Sequence, residues 1–590
     1  MILFFLKGSK LYFLGTVFFA AAVSLLDLLN PRIISFTVDS VLGSEAYQLP
    51  APVEKLLQEA GGTVYLREHL WIIALLILGV AILGAVCRFL FKLFNALGAE
   101  KLVQTMRDSL FGHILKLPFS WLGENHTGDI IQRCTSDVEQ IKVFLSEQLT
   151  GLFRVFVLVA FALYFMFSIN LRLALAVAAF IPVIVGYSLY FYHRVGDAFE
   201  KVDVEEGVLS SIAQENLTGV RVVRAFGREL YEKERFETQN EKYTKMWIYL
   251  MRLLSAFWMS SDLISYLQIL TVFIYGAFLS VRGELTPGNY IAFITYTTML
   301  MWPIRSLGRI ISNMSKAGIS IDRLRYIMNA EPEEDRPGAE EAEMSGDIAF
   351  EHVSFRYENG TADVLEDVSL QVKAGTTVGI LGGTGSGKST LMYLLDRLYE
   401  LPEDGGRITI GGKDIRDIRA DWLRKNIGMV LQEPFLFSRT LSENIAIASR
   451  NADQTEVRHA ARLAALDETI EHFTEGYETC VGERGVTLSG GQKQRTAIAQ
   501  MLIRKPPIMV FDDSLSAVDA ETDAKIRKAL AEELAGSTVI LIAHRITTLM
   551  QADRIYVMDK GRIAEEGTHA ELLAKGGIYS RIYELQSRQA

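Results

Sequence analysis

Six predominantly apolar stretches of roughly twenty residues or more lie in the first half of the chain, near Leu11 to Val38, Leu70 to Phe94, Leu149 to Phe167, Leu171 to Tyr192, Ser255 to Val281 and Tyr290 to Ile311. Each is long enough to cross ~30 Å of hydrocarbon as a helix, the form in which a segment satisfies its own backbone hydrogen bonds in lipid. Lys7 and Lys10 precede the first stretch, and the segments 98–147 and 193–254 are rich in basic residues, among them Lys101, Arg107, Arg133, Arg194, Arg221, Arg224, Arg228 and Lys242. The connections 168–171 and 282–289 are short and nearly uncharged, and the loop 39–69 is mostly acidic. Basic residues mark the cytoplasmic side, so both termini are expected there, with the lipid bilayer as a partner of the first half. The first stretch is too long for the apolar region of a cleavable signal peptide and reads as an anchor.

The remainder is of a different kind. Val378-Gly379-Ile380-Leu381 is an apolar run, Gly382 to Ser389 spells GGTGSGKS, and Thr390 to Leu398 is helix-like. Strand, glycine-rich loop and helix in that order form a phosphate loop. Its glycines, Gly382, Gly383, Gly385 and Gly387, let the backbone turn N–H groups toward an anion, and the following helix adds its positive end. Lys388 is placed to reach phosphate oxygens and Ser389 to hold Mg²⁺ through its hydroxyl, with Thr384, Ser386 and Thr390 completing the contact set for ATP. A second apolar run, Ile508 to Phe511, ends in Asp512 and Asp513. An unbroken apolar run suits a central parallel strand, and ligands of open α/β sheets gather at the carboxyl ends of such strands. Asp512 therefore stands to bind Mg²⁺, and Asp513 is where a water-activating base would stand. Leu488 to Gln492 reads LSGGQ, with Ser489, Gly490 and Gly491 opening a helix-like segment that runs to Leu502, a second anion site.

This ordered trio of motifs resembles the ATP-binding cassette transporters in their exporter-type arrangement, a membrane half followed by a nucleotide-binding domain. The resemblance implies an α-helical membrane domain of six transmembrane helices with long cytoplasmic extensions, followed by an α/β P-loop NTPase domain. It implies that Ser489, Gly490, Gly491 and Gln492 cap the γ-phosphate of ATP held by an opposing domain, so that two cassettes meet head to tail. By the same resemblance Tyr357 stacks on adenine, Gln432 touches Mg²⁺ and reports nucleotide state, and His544 contacts the γ-phosphate. Gly482-Glu483-Arg484 resembles the segment that meets the membrane domain's coupling helices, and Ser516-Ala517-Val518-Asp519 the loop that communicates across the dimer. Candidate coupling helices lie around Phe119 to Gly128 and Gln214 to Val223. Residues 1–325 are assigned to the membrane domain, 326–345 to an acidic linker containing Pro332, Pro337 and Gly338, and 346–590 to the cassette.

One position departs from the family's pattern. Most members carry glutamate after the Mg²⁺ aspartate, and here the residue is Asp513. The missing methylene withdraws the carboxylate by roughly 1.5 Å, and a displacement of about 1 Å is worth on the order of a hundredfold in rate. An impaired site of its own beside an intact LSGGQ implies a heterodimer with a different half-transporter. A homodimer with slow turnover, an importer on the exporter fold and an ATP-gated channel or regulatory subunit are the alternatives. The expected cargo is an amphiphile such as a drug or lipid, and the expected location is a bacterial inner membrane.

With 590 residues, 49% of them hydrophobic, the chain is too long for one domain and too apolar for a soluble protein. A net charge of −10 offers no basic field for nucleic acid. Cys87, Cys134 and Cys480 are scattered, and the nine histidines form no metal-ligand spacing, so reduced thiols and no structural metal are expected. Within the spans Asp27 and Asp262 are candidate cargo contacts, while Arg32, Arg88, Arg154 and Arg305 suit span ends. Tyr266, Phe293, Tyr296, Met299, Met301 and Trp302 could line an apolar cavity, although packing is the commoner role of such residues.

Overall fold

The computed structural model describes residues 5–45, 51–59, 62–358, 360–449, 451–514, 518–533 and 536–587. Two compact units result, one of Met1–Lys116 and Asn125–Glu331, the other of Leu117–Glu124 and Pro332–Ala590.

The first unit is helical. Its long elements are α1 (Lys10–Phe36), α2 (Trp71–Ile114), α3 (Thr150–Ile169), α4 (Leu171–Thr218), α5 (Glu229–Val281) and α6 (Pro287–Met328). Five helices among the described residues are long and apolar enough to cross a membrane, namely Lys10–Leu42, Trp71–Ile114, Thr127–Ile169, Leu171–Thr218 and Glu229–Val281. The sixth apolar stretch forms the first half of α6, whose last turns carry Asp322, Arg323 and Arg325. At 1.5 Å per residue the 53 residues of α5 span about 80 Å, far more than the ~30 Å of hydrocarbon, so this helix continues well beyond the bilayer.

Helix ends and helix contacts in this unit are made by polar residues that the spans conceal. Asn170 caps α4 by accepting from the Leu173 N–H at 3.1 Å. Asp39, buried in the π-helical continuation of α1, caps α6. Its carboxylate accepts from the N–H of Gly288 at 2.7 Å, the N–H of Asn289 at 3.2 Å and the hydroxyl of Thr286 at 2.5 Å. Asp27 pairs with Arg88 at 2.7 Å and Asp262 with Arg305 at 2.6 Å, and Arg305 also lies over the Trp258 ring at 5.0 Å. The two aspartates considered as cargo contacts thus neutralise arginines of neighbouring helices, as charges in lipid require. Phe293 and Tyr296 are fully buried in the core with Leu28, Met166 and Leu173. The Tyr296 hydroxyl donates to the Leu28 carbonyl at 3.0 Å and its ring stacks on Phe165. These two aromatics fill the bundle; Tyr266 and Trp302 remain exposed.

The second unit contains two sheets. A four-stranded sheet runs β2-β1-β4-β5, from β1 (Ile348–Phe355), β2 (Leu365–Val372), β4 (Arg407–Ile410) and β5 (Lys413–Asp414). A six-stranded sheet runs β10-β9-β3-β8-β7-β6, from β3 (Thr377–Gly382), β6 (Ile427–Val430), β7 (Ile508–Asp512), β8 (Thr538–Ala543), β9 (Arg554–Asp559) and β10 (Arg562–Gly567). Neighbours from β9 to β6 are parallel, and every residue of β7 is buried, the pattern of a central strand covered on both faces.

The stretch expected as a linker divides differently. α6 runs to Met328, and from Pro332 onward the chain belongs to the second unit. Glu333 takes both terminal nitrogens of Arg424 at 2.8 and 2.5 Å. Asp335 accepts from Arg397 and from the Ala420 N–H, each at 3.0 Å, and the Trp422 indole donates to the Ala342 carbonyl at 2.9 Å. Arg397 is almost wholly buried and is shared between Asp335 and Glu400, each at 3.0 Å, so the segment lies down as a strap that helps to answer a buried charge. The short helix Phe119–Glu124, a coupling-helix candidate, also falls in this unit, its Phe119 ring 5.5 Å from Tyr399 and edge-on to it. The other candidate, around Gln214 to Val223, belongs to the first unit, where α4 ends at Thr218 and the short helix Val220–Ala225 follows.

Candidate nucleotide site

The strand order β3-β8-β7 decides which residues meet. In register, Leu381 of β3 lies beside Ala543 of β8, and Ile542 beside Asp512 of β7. The carboxyl ends of three adjacent parallel strands therefore carry the start of the phosphate loop, His544 and the Asp512-Asp513 pair, residues more than 120 positions apart in sequence at the extremes.

After β3 the chain turns through the loop into α7 (Lys388–Leu395). Gly385 and Gly387 have φ of 78° and 97°, the left-handed region that side chains rarely enter. A Cβ on Gly382 would come within 2.7 Å of the Met558 carbonyl oxygen, so only glycine fits there. The first N–H groups of α7 lack partners inside the helix and point toward the loop's concavity. Lys388 is buried, and its ammonium donates to the carbonyls of Gly382 at 3.0 Å and Gly383 at 2.7 Å. Burial pushes its pKa down, opposed by the nearby carboxylates of Asp512 and Asp513. Asp512 is buried too, and burial pushes its pKa up against the hydrogen bond from Ser389 and the charge of Lys388. A buried carboxylate beside a serine hydroxyl, with Gln432 on the adjoining loop, is a hard oxygen donor set that suits Mg²⁺. Ser386 and Thr390 are buried in the loop and first turn; Gly383, Thr384 and Gly385 are exposed.

Asp513 is half-buried with φ of 46°, and its N–H donates to the Ile542 carbonyl at 2.9 Å. Tyr357 stands at the rim, its hydroxyl 2.9 Å from Thr390 Oγ1 and its ring edge-on to Tyr399 at 5.0 Å. Of the expected dimer loop, Ser516 and Ala517 lie outside the described residues, while Asp519 accepts from the N–H and hydroxyl of Thr522 at 2.9 and 2.8 Å to cap α9 (Ala520–Glu533). Gly482 and Glu483 lie ahead of the signature, and the Arg484 side chain is outside the described residues.

The signature lies elsewhere on the unit. Ser489 caps α8 (Gly490–Leu502) in a reciprocal box, accepting from the Gln492 N–H at 3.3 Å while Gln492 Oε1 accepts from the Ser489 N–H at 2.9 Å. Gln492 thus uses its carbonyl on the cap, and Ser489 and Gly490 face solvent. α8 packs on β6, where Met501 closes on Gly428, and β6 is separated from β3 by β7 and β8, about 14 Å across the sheet. The signature does not meet its own phosphate loop.

Two glutamines that the motifs did not single out connect these parts. Gln494, buried on α8, donates to the Gln432 carbonyl at 2.8 Å, tying the signature helix to the glutamine loop. Gln586, on the last helix α10 (Ile578–Ser587), donates to the His544 carbonyl at 2.8 Å and accepts from the Ile546 N–H at 2.9 Å. Only tertiary structure reveals Gln586, since it lies 42 residues from His544.

Residues 13–304 match the family model of the ABC transporter transmembrane region, and residues 365–516 that of the ABC transporter. An uncharacterized ABC transporter ATP-binding protein of Bacillus subtilis, YknU, is 36% identical over 95% of this chain and 93% of its own length. The chain belongs to the ABC transporter family. A second relative, the probable multidrug resistance ABC transporter ATP-binding/permease protein YheI of Bacillus subtilis, is 34% identical over 99% of this chain and 96% of its own length. The ATP-dependent lipid A-core flippase of Aromatoleum aromaticum is 35% identical over 83% of this chain and 81% of its own length. The solved structure of a bacterial Atm1-family ABC exporter with ATP bound superposes with a TM-score of 0.78 at 28% identity, covering 98% of this chain and 99% of that one. This ABC transporter is accordingly a multi-pass half-transporter of the exporter fold that drives transport with ATP and works as a pair with another ABC subunit.

Proposed function

We propose that this half-transporter exports amphiphilic molecules from a bacterial inner membrane, both termini cytoplasmic, as one subunit of a heterodimer whose ATP site on this chain's phosphate loop turns over slowly. The observation that carries this reading is the pairing of Asp513 with a complete signature. Asp513 follows directly on the strand that ends in Asp512, one methylene short of glutamate, while Ser489 and Gly490 stand exposed and Gly491 half-buried at a helix start remote from their own loop.

In this reading Gly382 to Thr390 cradle the phosphates and Lys388 exchanges its bonds to Gly382 and Gly383 for phosphate oxygens. Tyr357 stacks on the base, and Ser389, Asp512 and Gln432 hold Mg²⁺, which supplies charge neutralisation between phosphates. His544, its backbone clasped by Gln586, faces the γ-phosphate side. Asp513 orients the attacking water from too far back. The complementary surface, Ser489 to Gln492, completes the partner's site. The names of the relatives, a multidrug resistance protein and a lipid A-core flippase, support an amphiphilic cargo.

The test is ATPase activity of the purified chain alone, of the chain co-purified with its native partner, and of Asp513→Glu in both. The lone chain should turn over at least tenfold more slowly than the complex, and Asp513→Glu should raise activity of the lone chain by on the order of tenfold to a hundredfold. Brisk hydrolysis by the lone chain, abolished by Asp513→Asn, would establish a homodimer with Asp513 as its base.

A further inference from the structure

Of the groups gathered at the ends of β3, β8 and β7, His544 is the one whose side chain is least held. Lys388 is bonded to two loop carbonyls and Asp512 to Ser389, whereas the half-buried His544 imidazole makes no hydrogen bond among the described residues. Its place is therefore set by its backbone. The ladder of β8 ends at Ala543, beside Leu381, and the next fully buried side chain is Ile546. His544 and Arg545 lie between those anchors with two soft dihedrals each. Gln586 closes the gap from α10: its Nε2 donates to the His544 carbonyl at 2.8 Å, and its Oε1 accepts from the Ile546 N–H at 2.9 Å. These bonds take the peptide groups on either side of Arg545, so one side-chain amide fixes the direction in which the chain leaves His544, and with it the direction of the imidazole. Arg545 gives no side-chain bond of its own to the start of the short helix Ile546–Leu549.

Gln586 is itself anchored. Glu565 of β10 caps α10, its carboxylate accepting from the N–H groups of Ile578 at 2.5 Å and Tyr579 at 3.1 Å. Tyr579 is fully buried in the same core as Ile546 and Leu549, and its hydroxyl lies 2.7 Å from His569 Nδ1. The helix that carries Gln586 thus stands on the same packed core as the turn that Gln586 holds, which is how a supporting group keeps a site residue in one geometry. Glutamine suits the task because its planar amide offers a donor and an acceptor side by side; glutamate offers no donor and methionine neither bond. We propose that Gln586 is a positioning residue of the nucleotide site, holding the His544 backbone so that the imidazole meets the terminal phosphate, and that it thereby sets how far this chain prefers ATP over ADP. The assignment rests on the reading of His544 as the residue that faces the γ-phosphate, and it adds a residue on another helix, 42 positions away, through which that contact depends on the fold.

The experiment uses the purified full chain in detergent with Mg²⁺ and measures displacement of a fluorescent ADP derivative by ADP and by the β,γ-imido analogue of ATP. The analogue is not hydrolysed, so the outcome is independent of how fast this site turns over and of the heterodimer reading. His544→Ala should cut the preference for the analogue over ADP by about tenfold, the loss of one hydrogen bond to a charged oxygen. Gln586→Met, which removes both backbone bonds at similar size, should cut that preference by roughly threefold to tenfold and leave ADP affinity unchanged. Gln586→Glu keeps an acceptor for Ile546 and loses the donor to His544, and its preference should fall as in Gln586→Met. In the His544→Ala background Gln586→Met should change the preference no further, because it acts through the imidazole. Equal losses of ADP and analogue affinity in the Gln586 variants, an unchanged preference in both of them, or a further loss on top of His544→Ala would each overturn the assignment while leaving the role of His544 intact. An unchanged preference in His544→Ala would overturn the reading of His544 itself, and the assignment with it.

Discussion

In the cassette, Lys388, Asp512 and His544 reach one edge because β3, β8 and β7 are neighbours, and their charges are left facing a space where a ligand belongs. In the membrane unit Asp27, Asp262 and Asp39 are each taken up by another helix or helix end, and their charges are spent inside the protein. The difference follows from solvent. A cassette folds in water and can hold a buried lysine and aspartate apart from full compensation at one place where binding restores the balance. A bundle in lipid cannot, so its charges pair first, and the residues still unpaired are the informative ones.

Breaking the cassette side of this comparison should give the largest effect. Lys388→Ala should reduce binding of a fluorescent ATP analogue by on the order of a hundredfold or more, since charge-assisted bonds to the phosphates are lost. Binding within threefold of wild type would show that Lys388 serves its own loop carbonyls only. On the membrane side Asp39→Ala should cost about 2–4 kcal/mol, because the N–H groups of Gly288 and Asn289 lose their buried acceptor, and Asp39→Asn should cost less. Thermal unfolding in detergent reads both, and an unchanged midpoint for Asp39→Ala would mean that the α6 cap is replaceable.

A third prediction concerns a buried charge in the cassette that is not compensated. Asp396, at the end of α7, has its pKa pushed up to about 7 by burial, opposed by Arg424 and Arg504 and reinforced by Glu333. Its folded pKa exceeds the unfolded value, so the folded state binds more protons between about pH 4 and 7 and stability falls as pH rises through that window. The penalty should be of order 2–4 kcal/mol by pH 8, and Asp396→Asn should flatten the dependence. Parallel pH profiles of cassette unfolding would refute the assignment. The smallest effect belongs to Gln586→Ala, expected to cost about 1 kcal/mol and to speed hydrogen exchange around His544 and Ile546.

Phosphate loop, signature and the Asp512-Asp513 pair were legible in the sequence because each is a short local pattern whose chemistry depends on backbone shape within a few residues. The helical membrane unit was legible for a similar reason, since lipid imposes length and apolarity on each span separately. Gln586 was not legible, because its role exists only through the packing of α10 against the turn after β8. The ion-pair partners of Asp27 and Asp262 were not legible, because a sequence shows that a charge lies in a span and not which helix answers it. Phe293 and Tyr296 look on paper like cavity lining, and only the bundle shows that they fill it.

The strap from Pro332 onward has a practical consequence for any cassette expressed by itself. Begun at residue 346, such a fragment would lack Glu333 and Asp335, leaving Arg424 without the carboxylate that holds it and the buried Arg397 with Glu400 alone. Begun at 332, it would carry its own counter-ions. The shorter fragment should therefore be the less soluble of the two, and the start of the cassette is better set by where its arginines are answered than by where its first strand begins.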